Sequence, residues 1–442
     1  MEQYSIWIIN DITIFLKFRL KFVLISKLNI LFFFVAFVNS QDIESQLYSN
    51  LQSKGEWGDY YLFENGTYRH VSNSVQLDSI YLISNNKIEK NTLNRLFYSI
   101  KGFSNANQVF GQLNSIEEAY PFLKNASSIS FAKYDNERIA AILNVNPIFK
   151  SHIGGILGAS RDNKGQWITT GELDLHLENF REKGNIVDLL WRQPDSQSRL
   201  IELTVEFPIL FNLPFGSIIS FDQEFYEKNY YIDSKTALLT FIGPLGQWRF
   251  GGKTESSRNI YLNNKFNSTS IGIGLKGDRR NNRWLPYSGK YWVWNLNIGH
   301  QNDIYGKTQI IDSYFQLDQY KSLNSSVLRF SMWGGRNWID DRELSASKKI
   351  KFGGSKLLRG YHDNQFASDW VMIQTIEWIS GSLDRMQLFL FTDIPFSPIS
   401  NISSAYGVGI RQYNGSILYN ISVGFPGDIS MGKIHISFMT NL

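Results

Sequence analysis

Beyond Ile153 the chain repeats one pattern almost to its end: a run of alternating apolar and polar residues, turn chemistry, then another run. In RLIELTVEF, Ile201, Leu203, Val205 and Phe207 share one face, and Glu202, Thr204 and Glu206 the other. In YWVWNLNI, Trp292, Trp294, Leu296 and Ile298 oppose Tyr291, Val293, Asn295 and Asn297. GKIHISF sets Ile434, Ile436 and Phe438 on one side. A period of two belongs to strands with two unlike faces. The alternation predicts sixteen strands, at about 152–160, 166–178, 184–193, 199–210, 216–227, 230–242, 247–262, 269–277, 289–300, 308–320, 325–338, 367–380, 384–395, 403–413, 415–425 and 432–439. Asp162-Asn163-Lys164-Gly165, Gly243-Pro244-Leu245-Gly246, Asn414-Gly415 and Pro426-Gly427 supply turns between them.

A soluble sandwich also alternates, so periodicity alone does not choose the architecture. Several of these strands reach the ~10 residues that a tilted, bilayer-spanning strand needs. Aromatic residues are 15% of the chain, and Trp and Tyr crowd the strand ends as a headgroup-level girdle requires. Sixteen strands after residue 150 leave no room for helices, so closing the sheet on itself is the way to remove its edges. The expected fold is mainly β: a 16-stranded antiparallel transmembrane β-barrel over 150–442, polar within and apolar toward lipid.

The N-terminus reads as a secretory signal peptide, residues 1–40. Lys17, Arg19, Lys21 and Lys27 precede the apolar run Ile30 to Val38, and small residues follow before Gln41. Residues 41–74 are a polar linker of unknown structure. From Val75 to Phe149 the texture is that of a small α/β domain. VQLDSIYLI alternates, Leu93, Leu96, Phe97 and Ile100 fall at helical spacing, and a second helical pattern includes Val109, Phe110, Leu113 and Ile116. The strands SSISFAKY and RIAAILNVN complete the order strand–helix–helix–strand–strand.

Composition removes several function classes. With no cysteine there are no disulfides, thiolate metal sites or Cys nucleophiles. A net charge of +4 without a basic block argues against nucleic acid as a partner. The chain has no Gly-x-Ser-x-Gly elbow, His-Glu-x-x-His or P-loop, and its six histidines are scattered. The expectation is a protein that is not an enzyme, with no catalytic residues, no metal and no cofactor.

One stretch interrupts the strands. FGGSKLLRGYHDNQF, Phe352 to Phe366, lies between the eleventh and twelfth strands in the longest connection. It resembles the Gly-Gly-Ser…(Leu/Val)-Arg-Gly-(Tyr/Phe) signature of the BamA/TamA superfamily of outer-membrane insertases and translocases, the bacterial surface antigen family. Other segments agree: Asp278-Arg279-Arg280 with Pro286 and Gly289 before the ninth strand, Phe391-Thr392-Asp393, Tyr406-Gly407-Val408-Gly409-Ile410-Arg411, and GKIHISF at the C-terminus. The α/β piece, 75–149, resembles a single POTRA domain. The sequence departs from the family in two places. Glu377-Trp378-Ile379 lacks the arginine of the usual Glu-x-Arg, and Pro395 stands two after Asp393, where Gly is common.

The resemblance implies that the long loop folds back into the barrel and that Arg359, with Gly360 and Tyr361, meets Asp393 and Glu377. Strand parity permits this, because Gln387, Phe389, Phe391 and Asp393 share the inward face of MQLFLFTD. Gly353 and Gly354 would let the loop turn. The first and last strands would form a lateral seam, weakened by Gly154, Gly155 and Gly158 opposite Ile434, Ile436 and Phe438. The implied function is insertion into, or movement across, the outer membrane of unfolded polypeptides received in the periplasm. The alternative is a passive outer-membrane channel or surface-anchored structural barrel without client handling. Implied partners are outer-membrane lipid and lipopolysaccharide, unfolded outer-membrane or secreted client proteins, and periplasmic chaperones or accessory lipoproteins.

Overall fold

Every one of the sixteen alternating segments forms a strand, and together they close into one antiparallel barrel. The computed structural model describes residues 60–64, 67–71 and 76–442, apart from 86, 125–126, 136–137, 162–166, 194–196, 212, 227–228, 261–263 and 428–431. The signal peptide read over 1–40, most of the 41–74 linker and the turn at Asp162 to Gly165 lie outside these residues. Within the linker, β1 (Tyr60–Glu64) and β2 (Thr67–Val71) make a two-stranded antiparallel pair.

The α/β domain comprises β3 (Gln76–Ser84), α1 (Lys90–Leu96), a 3-10 turn (Phe97–Ile100), α2 (Ala106–Ala119), β4 (Ser127–Asp135) and β5 (Arg138–Val145). Its sheet order is β3-β5-β4, which leaves β3 and β4 as edges. The helical spacing read in the sequence packs as expected for amphipathic helices. Leu93, Phe97, Ile100, Val109 and Ile116 are fully buried with Leu143 and Val145 of the central strand.

The barrel strands are β6 (His152–Arg161), β7 (Trp167–Phe180), β8 (Asn185–Gln193), β9 (Arg199–Phe207), β10 (Gly216–Tyr226), β11 (Tyr230–Gly243), β12 (Gly246–Asn259), β13 (Lys265–Asp278), β14 (Gly289–Asp303), β15 (Gly306–Leu323) and β16 (Ser326–Ile339). After the long loop, which holds the short pair β17 (Ile350–Phe352) and β18 (Phe366–Ser368), come β19 (Trp370–Ser382), β20 (Met386–Phe396), β21 (Ala405–Tyr413), β22 (Ile417–Pro426) and β23 (Lys433–Asn441). At nine to eighteen residues these strands are long enough to span a hydrocarbon core. Among the described residues no helix is long and apolar enough to do so.

Alternation resolves into two environments. Leu388, Leu390, Val408, Ile434 and Ile436 point outward and are exposed, whereas Gln387, Glu377 and Asp393 point inward and are wholly buried. An outward apolar band around a polar interior is the arrangement a lipid-embedded barrel requires. Pro395 does not end β20, which continues to Phe396. Pairing of β20 with β21 stops at Asp393, so the proline's missing N–H falls on an unpaired edge and costs no ladder bond.

Antiparallel order fixes which connections share an end. The turns 181–184, 208–215 and 279–288 lie at the proximal end, where the α/β domain docks through Glu89 N–H to the Glu182 carbonyl (2.7 Å) and Tyr120 Oη to the Pro208 carbonyl (3.4 Å). The long loop, 340–369, leaves from the distal end.

Candidate functional site

β19 and β20 are neighbours whose register sets Thr375 opposite Asp393 and Glu377 opposite Phe391, with all four side chains directed inward. The long loop returns into the barrel and lays Arg359 on this patch. The Arg359 backbone N–H donates to Asp393 Oδ2 (3.0 Å), Nε donates to the same oxygen (2.9 Å), and one amino group donates to Oδ1 (2.7 Å). The second amino group donates to Glu377 Oε1 (2.6 Å). Thr375 Oγ1 adds a further donor to Asp393 (2.7 Å). Only a guanidinium offers this fork of parallel N–H groups. Arg359 is 7% exposed, and Asp393 and Glu377 are 0% exposed, so the pair is sealed from bulk water.

Sequence reasoning missed the other partners of Glu377. Arg411 donates to both of its oxygens (2.9 and 3.0 Å), and Arg329 lies 3.1 Å from Oε1 while also pairing with Asp318 (2.7 Å). The arginine absent from position 379 is therefore supplied from β16, beside β19, and from β21, one strand beyond β20. Ile379 instead packs with Tyr320, Val327, Phe389 and Phe391. The guanidinium of Arg359 sits 3.4 Å from the Phe391 ring centre and that of Arg411 sits 4.0 Å from Phe389. Gly407 and Gly409 make room for these rings, since a Cβ at either would collide with Phe391 or Phe389. The Gly-x-Gly-x-Arg segment thus clears space for two aromatic platforms and then provides one of the cations they carry.

The loop tip touches the last strand. Gly360 has φ +97°, and its N–H donates to Nε2 of His435 on β23 (3.2 Å). Tyr361 Oη donates to the Ser403 carbonyl (3.0 Å) and accepts from the Ser403 N–H (3.1 Å). Gly353 (φ +117°) and Gly354 (φ +93°) form the bend that starts the tip, and a Cβ on Gly354 would fall on the Asp363 carboxylate. Phe352 and Leu358, with no exposed surface, pack against Val371, Ile373 and Ala405.

The root of the loop is held on another part of the wall. Lys348 donates to Glu255 of β12 (2.6 Å) and Asp312 of β15 (2.7 Å), and Lys351 pairs with Glu224 of β10 under the Tyr226 and Tyr230 rings. Burial works against the Lys348 ammonium, but the two carboxylates outweigh it and hold its pKa above the ordinary lysine value. The signal for this anchor was present in the sequence. Asp312 and Asp318 share the inward parity of β15, and inward carboxylates in a barrel need cations.

The seam between β23 and β6 is short. Met439 pairs with Gly154, Thr440 with Ile153 and Asn441 with His152, and no further pairs form among the described residues. Every other neighbouring pair in the barrel has at least seven, as in β8–β9. The sequence reading puts the seam between these two strands, and the residues it names divide between their paired and unpaired lengths. Gly154 takes part, but Gly155 and Gly158 pair only with β7, and Ile434, Ile436 and Phe438 pair only with β22. Gly155 adopts φ +148°, with the Glu172 carbonyl of β7 where a Cβ would stand, so a larger residue there would disturb the β6–β7 ladder. The seam is closed at the proximal end and unpaired toward the distal end, where Ile434 (68% exposed) and Ile436 (57%) face outward. Among the described residues no group of three or more His, Asp or Glu could hold a metal ion.

A family model described as the Omp85 superfamily domain matches residues 167–415. No curated protein matches the sequence. Among solved structures, CdiB from Acinetobacter baumannii aligns with a TM-score of 0.59 and 13% identity over 89% of this chain and 79% of that one. CdiB from Escherichia coli aligns with a TM-score of 0.57 and 12% identity over 90% of this chain and 82% of that one. At these identities the likeness is one of fold.

Proposed function

The chain belongs to the Omp85 superfamily, and from that premise we propose that it is a non-enzymatic insertase or translocase acting on unfolded polypeptides. Its place is the outer membrane, and its work falls within protein insertion or translocation there. The α/β domain is read as a POTRA domain facing the periplasm. A client strand would add to an exposed edge, β3 or β4, through main-chain hydrogen bonds. The barrel would then pass the client sideways through the seam into a surround of lipid and lipopolysaccharide.

The observation that carries this reading is the three-pair closure between β6 and β23. Beyond it, 433–438 and 155–161 each keep one side of the backbone without a strand partner among the described residues. Unpaired N–H and C=O groups template another strand, and a folded barrel normally leaves none. A client hairpin could pair with both edges in turn. The loop supports the same route: with Lys348, Lys351 and Arg359 tied to the barrel wall, it occupies the lumen.

Depleting the protein from its own cell and measuring the outer-membrane and secreted proteomes tests the proposal. Selective loss of particular barrel or secreted proteins is expected. An unchanged proteome, together with steady large conductance from the purified protein in planar bilayers, would replace it with the passive-channel reading.

A further inference from the structure

The closed end of the seam is braced by a segment from elsewhere in the barrel. The proximal turn 279–288, between β13 and β14, is built as a rigid piece. Asn281 Oδ1 accepts from the N–H groups of Tyr287 and Ser288 (both 3.0 Å), Asn282 Oδ1 accepts from the Trp284 N–H (2.9 Å), and Asp278 Oδ1 accepts from the Arg280 N–H (3.0 Å). Leu285 has no exposed surface, and Tyr287 packs against the inward cluster formed with Phe389 and Phe391.

This turn makes contacts on two sides. On one side it grips the α/β domain: Lys124 Nζ donates to the Arg280 carbonyl, and Arg279 Nε donates to Glu118 of α2 (2.6 Å). On the other side it reaches the seam strands. Arg283 donates to Glu178 Oε1 (2.6 Å), and the other Glu178 oxygen accepts the backbone N–H of Lys150, two residues before β6 (2.8 Å). Trp284 lies edge-on to His152 (4.9 Å between ring centres) and parallel to Tyr413 (6.2 Å). Those two residues bracket the end of the seam. His152 is the register partner of Asn441, and Asn441 Nδ2 donates to Tyr413 Oη (3.0 Å).

We propose that the turn 279–288 is a latch on the closed end of the seam, with Arg283 and Trp284 as positioning residues that hold β6 against β23 and with Glu118 and Lys124 as its connection to the α/β domain. Movement of the α/β domain, as on client binding, would pull on the turn through Glu118 and Lys124. Arg283 and Trp284 would release the root of β6, and a ladder of only three pairs has little of its own to resist separation. The inference deepens the insertase reading and rests on it for the purpose of opening. The bracing itself is independent of that reading.

The test uses the full chain in phosphatidylcholine vesicles and hydrogen exchange at the two amides directed across the seam, Leu442, which donates to the Ser151 carbonyl (2.9 Å), and Thr440 on the same side of the strand, compared with amides of β19 and β20. Arg283→Gln, which loses one charged hydrogen bond, and Trp284→Ala, which loses its ring contacts with His152 and Tyr413, should each speed exchange at Thr440 and Leu442 by roughly tenfold and leave β19 and β20 unchanged. Glu118→Gln, remote from the seam, should produce a smaller increase at the same amides. Unchanged rates in Arg283→Gln and Trp284→Ala, or equal acceleration throughout the barrel, would overturn the latch. Adding an unfolded client separates the two claims. If client leaves seam exchange in the unsubstituted protein unchanged while the variants accelerate it, the latch stands and the insertase reading falls. If client accelerates it and the variants do not, the latch falls alone.

Discussion

Arg359 binds Asp393 through three hydrogen bonds, one from its backbone amide and two from its guanidinium, at a depth where Asp393 has no exposed surface. Removing one partner of a buried pair leaves an uncompensated charge, at a cost of about 3–5 kcal/mol. Arg359→Ala leaves Asp393 with no cation, held only by the residue-359 backbone N–H and Thr375, whereas Glu377 keeps Arg329 and Arg411. Asp393→Asn strands Arg359 less, since Glu377 still faces it. Arg359→Ala should therefore be the more damaging change, giving proteolysis near Tyr361 and larger, noisier conductance while the barrel keeps its heat-modifiable migration. Arg359→Lys should rescue only part, lacking the fork. The double variant should be no worse than Arg359→Ala, because coupled residues do not add. Additive losses would show that the loop is held some other way.

Glu377 already has three cations, which gives a second expectation. Restoring the family's Glu-x-Arg by Ile379→Arg should not strengthen the site. It would put a guanidinium among Val327, Phe389 and Phe391 with no carboxylate left to receive it. Breaking the packing and burying an unpaired charge should cost several kcal/mol. The variant should lose heat-modifiable migration at a lower temperature than the unsubstituted protein; equal or greater resistance would mean that the network has room for a fourth arginine.

Strand parity makes the inner and outer faces legible in the sequence alone. Counting along MQLFLFTD from one inward residue assigns Gln387, Phe389, Phe391 and Asp393 together, and the structure buries all four. The same arithmetic could not reveal that Glu377 draws on Arg329 and Arg411. That depends on lateral register between strands distant in sequence, which turn chemistry sets locally and barrel closure sets globally. How far the seam is paired was illegible for a related reason. Glycine content marks β6 as a weak partner, but how many rungs it forms with β23 depends on how barrel closure brings the first and last strands together.

The loop root should show an alkaline transition. The Lys348 pKa lies above 10.5 in the folded protein, so its contribution is fully present below 10.5 and is lost as pH rises through the raised value. Protease protection of the segment before Phe352 should hold from neutral pH to about 10 and fall only beyond it. Lys348→Met should lack that transition and be less protected throughout. Its cost should be about 3–5 kcal/mol: Glu255 retains Lys253 at 2.6 Å, but Asp312 loses the cation it faces. Identical alkaline profiles for both proteins would assign the transition to other groups.

Locking the seam tests whether it is the route. The chain has no cysteine, so Ile153→Cys with Thr440→Cys creates a single pair at directly opposed register positions, whose side chains share a face. Opposed residues on antiparallel strands bring Cβ atoms within about 5.5 Å, close enough for a disulfide after slight adjustment. Oxidation should join the first and last strands covalently, and the closed circle should resist opening where three ladder pairs do not. Assembly of a radiolabelled outer-membrane client into vesicles should then fall to background and return on reduction, with the unsubstituted protein indifferent to both treatments. The reduced double variant must match the unsubstituted protein, which rules out damage from the substitutions themselves. Undiminished client assembly by the oxidised, crosslinked protein would exclude the seam as the path and leave the lumen, with its tethered loop, as the remaining way through.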